Sequence, residues 1–469
     1  MTPVPVARQL VRRFRSLAGQ TLPPPVALAA RLHLLDALGV GLASRGSPVG
    51  QPYGRYAAGL VPGGPATIMG AAGGFGPADA ALVNGGLMHS LEYDDTHTGS
   101  IAHGSAVLAP AALAAGEAAG ASGARVLRVY ALGWEVLIRM GLASAAGFQA
   151  QGFQVTSVGG ALVTALMAAE LSGAGEDEAV AAVGIALSGS SGGFEFLTNG
   201  SSVKSLHPGW GAHAGLTAAS LAKAGLTGPE TAIEGRNGLF RSFAGDPAGG
   251  TAFAALLDDL GRRWHLPDAA FKFHPCCHYL HPFIEAAGRL SESGVAAAEI
   301  DDILCRAPAR TAPIVCEPWA LKQVPPSGHA ARWSLPVVVA ACFVEGRVDL
   351  ATFETRASPE VLALAARTRW EPLAADRFPT AFEAEILCRT RDGVEHAMRI
   401  DDVFGNASRP AALDDVTGKF RQNAGRLLGP AEVDALEAAV DGIEAAPSLD
   451  ALSGALRIPA RPDDERMRG

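Results

Sequence analysis

Apolar residues recur at helical spacing along the first half of the chain. The spacing predicts helices over residues 4–18, 24–44, 78–96, 105–119, 123–144, 157–171, 176–188 and 211–223. Glycine and alanine are frequent in these segments, and small side chains allow helix backbones to approach one another closely. The pattern therefore indicates a large bundle of packed helices.

The pattern changes near residue 264, where short alternating runs begin to interrupt the helical spacing. The alternation predicts strands over residues 299–307, 382–390 and 395–400. The turn sequence RDG between the last two favours a β-hairpin. Helical spacing returns over residues 281–291, 329–345 and 359–367. This mixture predicts a separate α+β domain.

Two further helices are predicted over residues 411–428 and 430–445, and the simplest arrangement returns them to the first bundle. We therefore expect a mostly α fold with three parts: a helical domain over residues 1–265, an α+β domain over residues 266–404 and a helical return over residues 405–460. The polar residues 461–469 are predicted to form a disordered tail.

Composition excludes several classes of partner. The chain has 469 residues, a net charge of -9 and scattered basic residues, so nucleic acid is not an expected partner. Six cysteines without a CxxC pair indicate reduced thiols and a cytoplasmic location. No apolar run reaches transmembrane length without a charge or a glycine break, so we expect no membrane span.

Acidic and hydroxyl side chains are concentrated at the end of the apolar segment 78–96. If the helix continues to Thr96, then Glu92, Asp95 and Thr96 share one face and Asp94 points to the other side. A pocket on one side of this helix would then contain either Glu92 and Thr96 or Asp94. We do not expect both sets to face the same pocket. Charges at a helix end can also be capping groups, so this segment alone does not establish a site.

Residues 97–102 contain Gly99 and are predicted to form a loop that carries His103 back towards this helix end. His103 then precedes the next helix, where donors and anions are favoured. A cluster of acids and histidines could also bind a metal ion. No fixed ligand spacing such as HExxH is present, and we predict no metal.

Lys204 and Lys272 lie among aromatic, glycine and histidine neighbours, not in charged surroundings. Lysines in such surroundings are candidate carboxylate anchors, although a surface lysine with a buried stem is the alternative. The segment HPCCHYLHP after Lys272 resembles a zinc site, but its adjacent cysteines fit one ion poorly. A loop that presents its backbone and one His or Cys to a substrate is favoured.

Four separated segments resemble the MmgE/PrpD family: HSLEYDDTH, LHPGWGAHAGLTAASLAKAGLTGPETAIEGRNGLF, KFHPCCHYLHP and RWSLPVVVAACFVEG. The resemblance covers about residues 5–455. It implies a helical domain built from both ends of the chain, a smaller α+β lid domain, a homodimer and no required cofactor. Members of this family include 2-methylcitrate dehydratase, cis-aconitate decarboxylase and iminodisuccinate epimerase.

The family's pattern places an acid on Glu92, where Asp is common, and its hydroxyl partner on Thr96. It places a catalytic histidine on His103 and the carboxylate-binding lysines on Lys204 and Lys272.

Two positions depart from the pattern. A family histidine falls on Gln154, and another falls at or beside Cys277, with His278 next to it. Gln154 cannot accept a proton at neutral pH, so one acid or base is missing. The reaction then depends on His103 alone, is assisted by His207 or His278, or differs from that of the familiar members. Asp94, His207 and Cys277 are further candidate substrate contacts.

We expect a cofactor-independent lyase that abstracts a proton next to a carboxylate of a small di- or tricarboxylate, as 2-methylcitrate dehydratase does. His103 would be the base, and Glu92 would orient it. An epimerase, an isomerase or a cis-aconitate type of decarboxylase is the alternative, and a non-catalytic paralogue is a third hypothesis. Retention of His103, Lys204 and Lys272 disfavours the third.

Overall fold

The computed structural model describes residues 4–458, so the tail predicted over residues 461–469 lies outside the described residues. The mostly helical class is confirmed. Helices of the first part follow one another in the order α1 (Val6–Ala18), α2 (Pro24–Arg45), α3 (Gln51–Ala58), α4 (Pro77–His89), α5 (Gly104–Ala119), α6 (Gly123–Ala143), α7 (Gly147–Ala150), α8 (Val155–Leu171), α9 (Glu176–Gly189), α10 (Leu206–Lys223), α11 (Leu239–Phe243) and α12 (Gly249–Leu256).

Glycines allow α4, α8 and α10 to pack with their backbones almost in contact. A Cβ atom added to Gly85 of α4 would lie 2.7 Å from the Cα atom of Gly209 in α10. A Cβ atom at Gly215 would lie 2.0 Å from the hydroxyl of Thr164 in α8. These distances are too short for any side chain, so the small residues fix how closely the helices pack.

Helix α2 is long and apolar enough to cross a membrane by length and composition, with a hydropathy of 1.6 over its best window. Within the fold, 78% of that window is buried. Such burial is typical of a core helix, which passes the same length test.

The second part mixes helices with one mixed sheet. Its elements are α13 (His281–Glu292), β1 (Ile300–Ala307), α14 (Ala312–Val315), α15 (Trp319–Gln323), α16 (Gly328–Ala331), α17 (Leu335–Glu345), α18 (Pro359–Ala365), β2 (Thr368–Pro372), β3 (Ala384–Thr390) and β4 (Glu395–Ile400). The strand order is β2-β1-β3-β4, with β2 parallel to β1 and the other pairs antiparallel. The predicted β3–β4 hairpin is confirmed, whereas the edge strand β2 was missed.

The chain ends in α19 (Leu413–Ala424), α20 (Pro430–Asp441) and α21 (Asp450–Leu456). Buried Phe420, Leu436 and Leu452 from these helices join the apolar cluster of the first part. A second apolar cluster combines residues between 276 and 403 with Phe196. The predicted boundaries near residues 265 and 404 remain a prediction, and these two clusters support it.

Five predicted helices differ by four residues or more at one end, and the two predicted over residues 411–428 and 430–445 end earlier, at Ala424 and Asp441. The helix predicted over residues 78–96 ends at His89, and the one predicted from residue 211 begins at Leu206 because Pro208 is tolerated in a first turn. The helix predicted over residues 329–345 is broken before α17. There the Ser334 hydroxyl accepts the Val337 amide at 3.2 Å and begins a new helix.

Candidate active site

A cavity is lined by residues from both apolar clusters. The predicted site residues that line it are Glu92, Thr96, His103, Gln154, Lys204, Cys277 and His278. The structure brings these residues together from distant parts of the chain. Asp94, His207 and Lys272 are buried and lie outside the cavity lining.

The cavity's acidic side is a loop, not the helix that the sequence predicted. After α4 ends at His89, Glu92 adopts a left-handed φ of 52°. Thr96 then pairs with Ala270 through main-chain hydrogen bonds of 3.0 and 2.8 Å. Because the backbone leaves the helix before Glu92, helical spacing does not govern the side-chain directions that follow.

The predicted common face of Glu92, Asp95 and Thr96 is therefore wrong. Asp95 turns away from the cavity, where its carboxylate lies 2.9 Å from Nδ1 of His33 and accepts the amide of Ser105 at 3.2 Å. The expected choice between Glu92 with Thr96 and Asp94 is confirmed, because Glu92 and Thr96 line the cavity whereas Asp94 lies buried behind them.

Two ammonium groups hold Glu92. Lys204 Nζ forms an ion pair with the Glu92 carboxylate and lies 5.3 Å from the ring centroid of Trp333. Lys272 Nζ donates to the main-chain carbonyl of Glu92 at 2.9 Å and lies 3.9 Å from Asp94 Oδ1. Burial by itself would raise the pKa of Glu92, but Lys204 and Lys272 outweigh it and lower the pKa to about 2.

The predicted loop over residues 97–102 is confirmed, and it returns His103 to Thr96. His97 and Ala102 pair across the loop, and His103 directly precedes α5. The His103 Nδ1 atom lies 3.0 Å from the carbonyl oxygen of Asp95, 3.2 Å from Thr96 Oγ1 and 3.4 Å from Asp94 Oδ2.

Nδ1 of His103 carries the hydrogen, since the carbonyl of Asp95 and the carboxylate of Asp94 can only accept. Nε2 then lies at the cavity edge, where it is a base when the ring is neutral and a proton donor when the ring is protonated. Burial lowers the pKa of His103 from its usual 6.5, and the negative charge of Asp94 opposes that change. Burial would raise the pKa of Asp94, but His89, His103 and Lys272 hold it well below its usual range.

A chain of hydrogen bonds runs behind the cavity. Nδ1 of His207 donates to Gln154 Oε1 at 2.9 Å, and Gln154 Nε2 donates to Nε2 of His89 at 3.3 Å. Nδ1 of His89 then donates to Asp94 at 2.8 Å. Burial lowers the pKa of His207 to about 3, so its ring is neutral and fits this chain. Gln154 therefore links two imidazoles.

His278 and Cys277 form the opposite side. Both ring nitrogens of His278 are buried without a hydrogen-bond partner among the described residues, and the ring centroid lies 5.1 Å from that of Phe382. Burial lowers the pKa of His278 well below 6.5 and raises the pKa of the Cys277 thiol. Both side chains are thus neutral, and His278 has two unused nitrogens beside the cavity.

Comparison with known proteins decides the family. Residues 8–249 match the MmgE/PrpD N-terminal domain, and residues 274–445 match the MmgE/PrpD C-terminal domain. The chain belongs to the MmgE/PrpD family.

Curated relatives of this MmgE/PrpD chain include cis-aconitate decarboxylases. The one from Mus musculus is 28% identical, with 92% of this chain and 89% of the relative covered. The one from Homo sapiens is 28% identical, covering 82% and 81%, and the one from Aspergillus terreus is 24% identical, covering 97% and 96%. The similarity thus spans nearly the whole length of each chain.

The sequence predicted substrate contact for Lys272, His207 and Asp94, and the structure gives these residues other contacts. The ammonium of Lys272 reaches the main chain of Glu92, and His207 reaches Gln154. Direct substrate contact by these three is a prediction that the geometry does not support. Sequence reasoning missed His89, although it opens the HSLEYDD segment. A histidine at the end of a buried helix is the signal that could have found it.

His89, Asp94 and His103 place one ligand atom each within 4.8 Å of one another. Two imidazoles and a carboxylate are a set that transition metals accept. One carboxylate oxygen of Asp94, Oδ2, already contacts Nδ1 of both rings, at 2.8 Å and 3.4 Å. The prediction that the site needs no metal stays a prediction.

Proposed function

We propose that this chain is a cofactor-independent lyase that removes a carboxyl group from a small carboxylate substrate. The observation that carries the proposal is the environment of His103. Its Nδ1 is held by Asp95, Thr96 and Asp94, which leaves Nε2 at the edge of a cavity that also contains the ammonium of Lys204. This pairing places a proton donor and a positive charge beside the same bound molecule.

The reaction needs one proton. A substrate carboxylate binds next to Lys204, and the bond to the leaving carboxyl group breaks to release carbon dioxide. The electron pair stays on carbon, where the Lys204 charge and the remaining carboxylate stabilise it. Nε2–H of the His103 imidazolium then protonates that carbon. Asp94 favours the imidazolium, because it supplies a negative charge 3.4 Å from Nδ1.

Gln154 favours decarboxylation over the dehydration expected from the sequence. Dehydration requires a base for the carbon-bound proton and a second group that protonates the departing hydroxyl. Gln154 supplies no proton, and its amide forms hydrogen bonds with His89 and His207. Decarboxylation requires only His103, and the curated relatives named above are decarboxylases. Dehydration of a 2-methylcitrate type of substrate and epimerisation are the alternatives.

The test is product analysis in deuterated water with di- and tricarboxylates, including cis-aconitate, 2-methylcitrate and iminodisuccinate. We expect release of carbon dioxide and one solvent deuterium on carbon per product. His103→Gln should lower kcat/KM by about 10²–10⁴-fold, the usual contribution of a positioned acid. His213→Gln is the control, because His213 is half-buried on α10 outside the cavity.

Loss of water without carbon dioxide would replace decarboxylation with dehydration, and deuterium exchange without net loss would indicate an epimerase. Unchanged turnover in His103→Gln would remove His103 from the mechanism. If none of the compounds in the panel reacts, the hypothesis of a non-catalytic paralogue is favoured.

A further inference from the structure

Seven Phe, Tyr and Trp rings within residues 4–458 line the cavity. The rings that line it are Phe148, Phe153, Phe194, Phe196, Tyr279, Trp333 and Phe382. Phe196 lies 5.7 Å from Phe194 and 6.0 Å from Trp333 between ring centroids, so these three form a continuous face. Tyr279 and Phe382 lie 4.9 Å apart and form a second face. The cavity thus offers large apolar surfaces beside its polar end.

With His103 neutral, the charges at the polar end balance; the protonated ring adds one positive charge, which faces Asp94. Among the described residues, the charged side chains in the lining are Lys204 and Glu92, and they pair with each other. Lys272 and Asp94 lie behind them and are also oppositely charged. Arg332 is nearby, but its guanidinium donates to the Leu91 carbonyl at 2.5 Å and it lines a different cavity. No cation in this set is left for a second or third carboxylate.

A carboxylate taken out of water without a cation or several donors is costly to bury. One carboxylate can share Lys204 with Glu92, and neutral donors such as Thr96 and Gln154 can serve a second. A third carboxylate would find no cation, only neutral side chains such as His278 beside the phenyl rings. An apolar substituent would instead gain from leaving water at the same place.

We propose that the substrate carries no more than two carboxylates together with an apolar substituent, an alkyl chain or an aryl ring, that fits the face formed by Phe194, Phe196 and Trp333. This inference rests on the proposed function, since it takes the anchoring carboxylate at Lys204 from it. It narrows the di- or tricarboxylate expected from the sequence to substituted dicarboxylates.

The test compares two unreactive molecules that share a succinate core, tricarballylate with a carboxymethyl arm and benzylsuccinate with a benzyl arm. Calorimetric titration of the full-length protein should show benzylsuccinate binding at least about tenfold more tightly, as expected for burial of a phenyl ring. Phe194→Ala should weaken benzylsuccinate about fivefold or more and leave tricarballylate unchanged. Phe404→Ala, at a partly exposed ring outside this cavity, is the control and should change neither.

Equal or tighter binding of tricarballylate, equal loss of both molecules in Phe194→Ala, or no binding of benzylsuccinate would each overturn the inference. The proposed function fails separately, through the absence of carbon dioxide release across the product panel. If a tricarboxylate is decarboxylated and also binds more tightly than benzylsuccinate, the proposed substrate class is wrong and the proposed lyase activity is retained.

Discussion

The sequence identified Gln154 as a site residue but did not reveal its role. The family pattern identifies it as a departure, because an amide stands where a histidine is usual. Its partners His207 and His89 lie 53 and 65 positions away, so no local spacing reveals the bridge. The same holds for Lys272, whose surroundings indicated a carboxylate ligand but whose partner is a main-chain carbonyl 180 residues away.

Gln154→Leu tests the bridge. The change leaves the His207 donor and the His89 acceptor buried without hydrogen-bond partners. Each unsatisfied group lowers the free energy of unfolding by about 1–3 kcal/mol. We expect a lower Tm and a kcat/KM reduced about tenfold, because His89 no longer fixes Asp94 behind His103. Gln149→Leu is the matched control, since Gln149 lines the same cavity and its Oε1 has no hydrogen-bond partner among the described residues.

If Gln154→Leu behaves like Gln149→Leu, the hydrogen-bond chain has no catalytic importance. A loss beyond about 10³-fold would instead assign Gln154 a direct part in the chemistry.

At the scale of elements, helix α19 contacts and stabilises the loop that follows α4 and carries Glu92 and Asp94. Lys419 of α19 is buried, lies 2.7 Å from Asp36 of α2 and donates to the Tyr93 carbonyl at 2.8 Å. Its ammonium also lies 4.1 Å from the ring centroid of Tyr93. Sequence periodicity predicted both helices but not this contact, which joins residues 383 positions apart. The return of the C-terminal segment thus stabilises the loop that carries Glu92 and Asp94.

Lys419→Met removes that charge while keeping the apolar stem. Burial raises the pKa of Asp36 and Lys419 opposes that rise, so the change leaves a lone buried carboxyl group. We expect the free energy of unfolding to fall by about 3–5 kcal/mol, measured in denaturant. Adding Asp36→Leu should recover much of that stability.

Lys223→Met, at an exposed lysine on α10, is the control and should change stability by less than about 0.5 kcal/mol. If Lys419→Met is as mild as this control, the ion pair does not hold the loop. If the double variant is no more stable than Lys419→Met alone, the loss does not come from the lone carboxyl group.

For the whole molecule, helical periodicity and the change of pattern near residue 264 predicted the fold class and most elements. The errors fall where polar chemistry overrides periodicity: α4 ends before Glu92, and Ser334 begins α17 within a predicted continuous helix. The family pattern supplied the residues that line the cavity, but neither their network nor the aromatic wall. Both depend on contacts between segments that are far apart along the chain, such as Gln154 with His89 and Phe196 with Trp333, and local spacing does not encode such contacts.

The most direct test of the account is the pH dependence of kcat/KM for a decarboxylated substrate between pH 5.5 and 8.5. Decarboxylation needs the His103 imidazolium, and burial lowers its pKa from 6.5. Because the fraction of protonated His103 falls with rising pH, we expect kcat/KM to fall about tenfold per pH unit above pH 6.5. A kcat/KM that instead rises with pH and reaches a plateau would show that neutral His103 is the active form, and it would contradict the account.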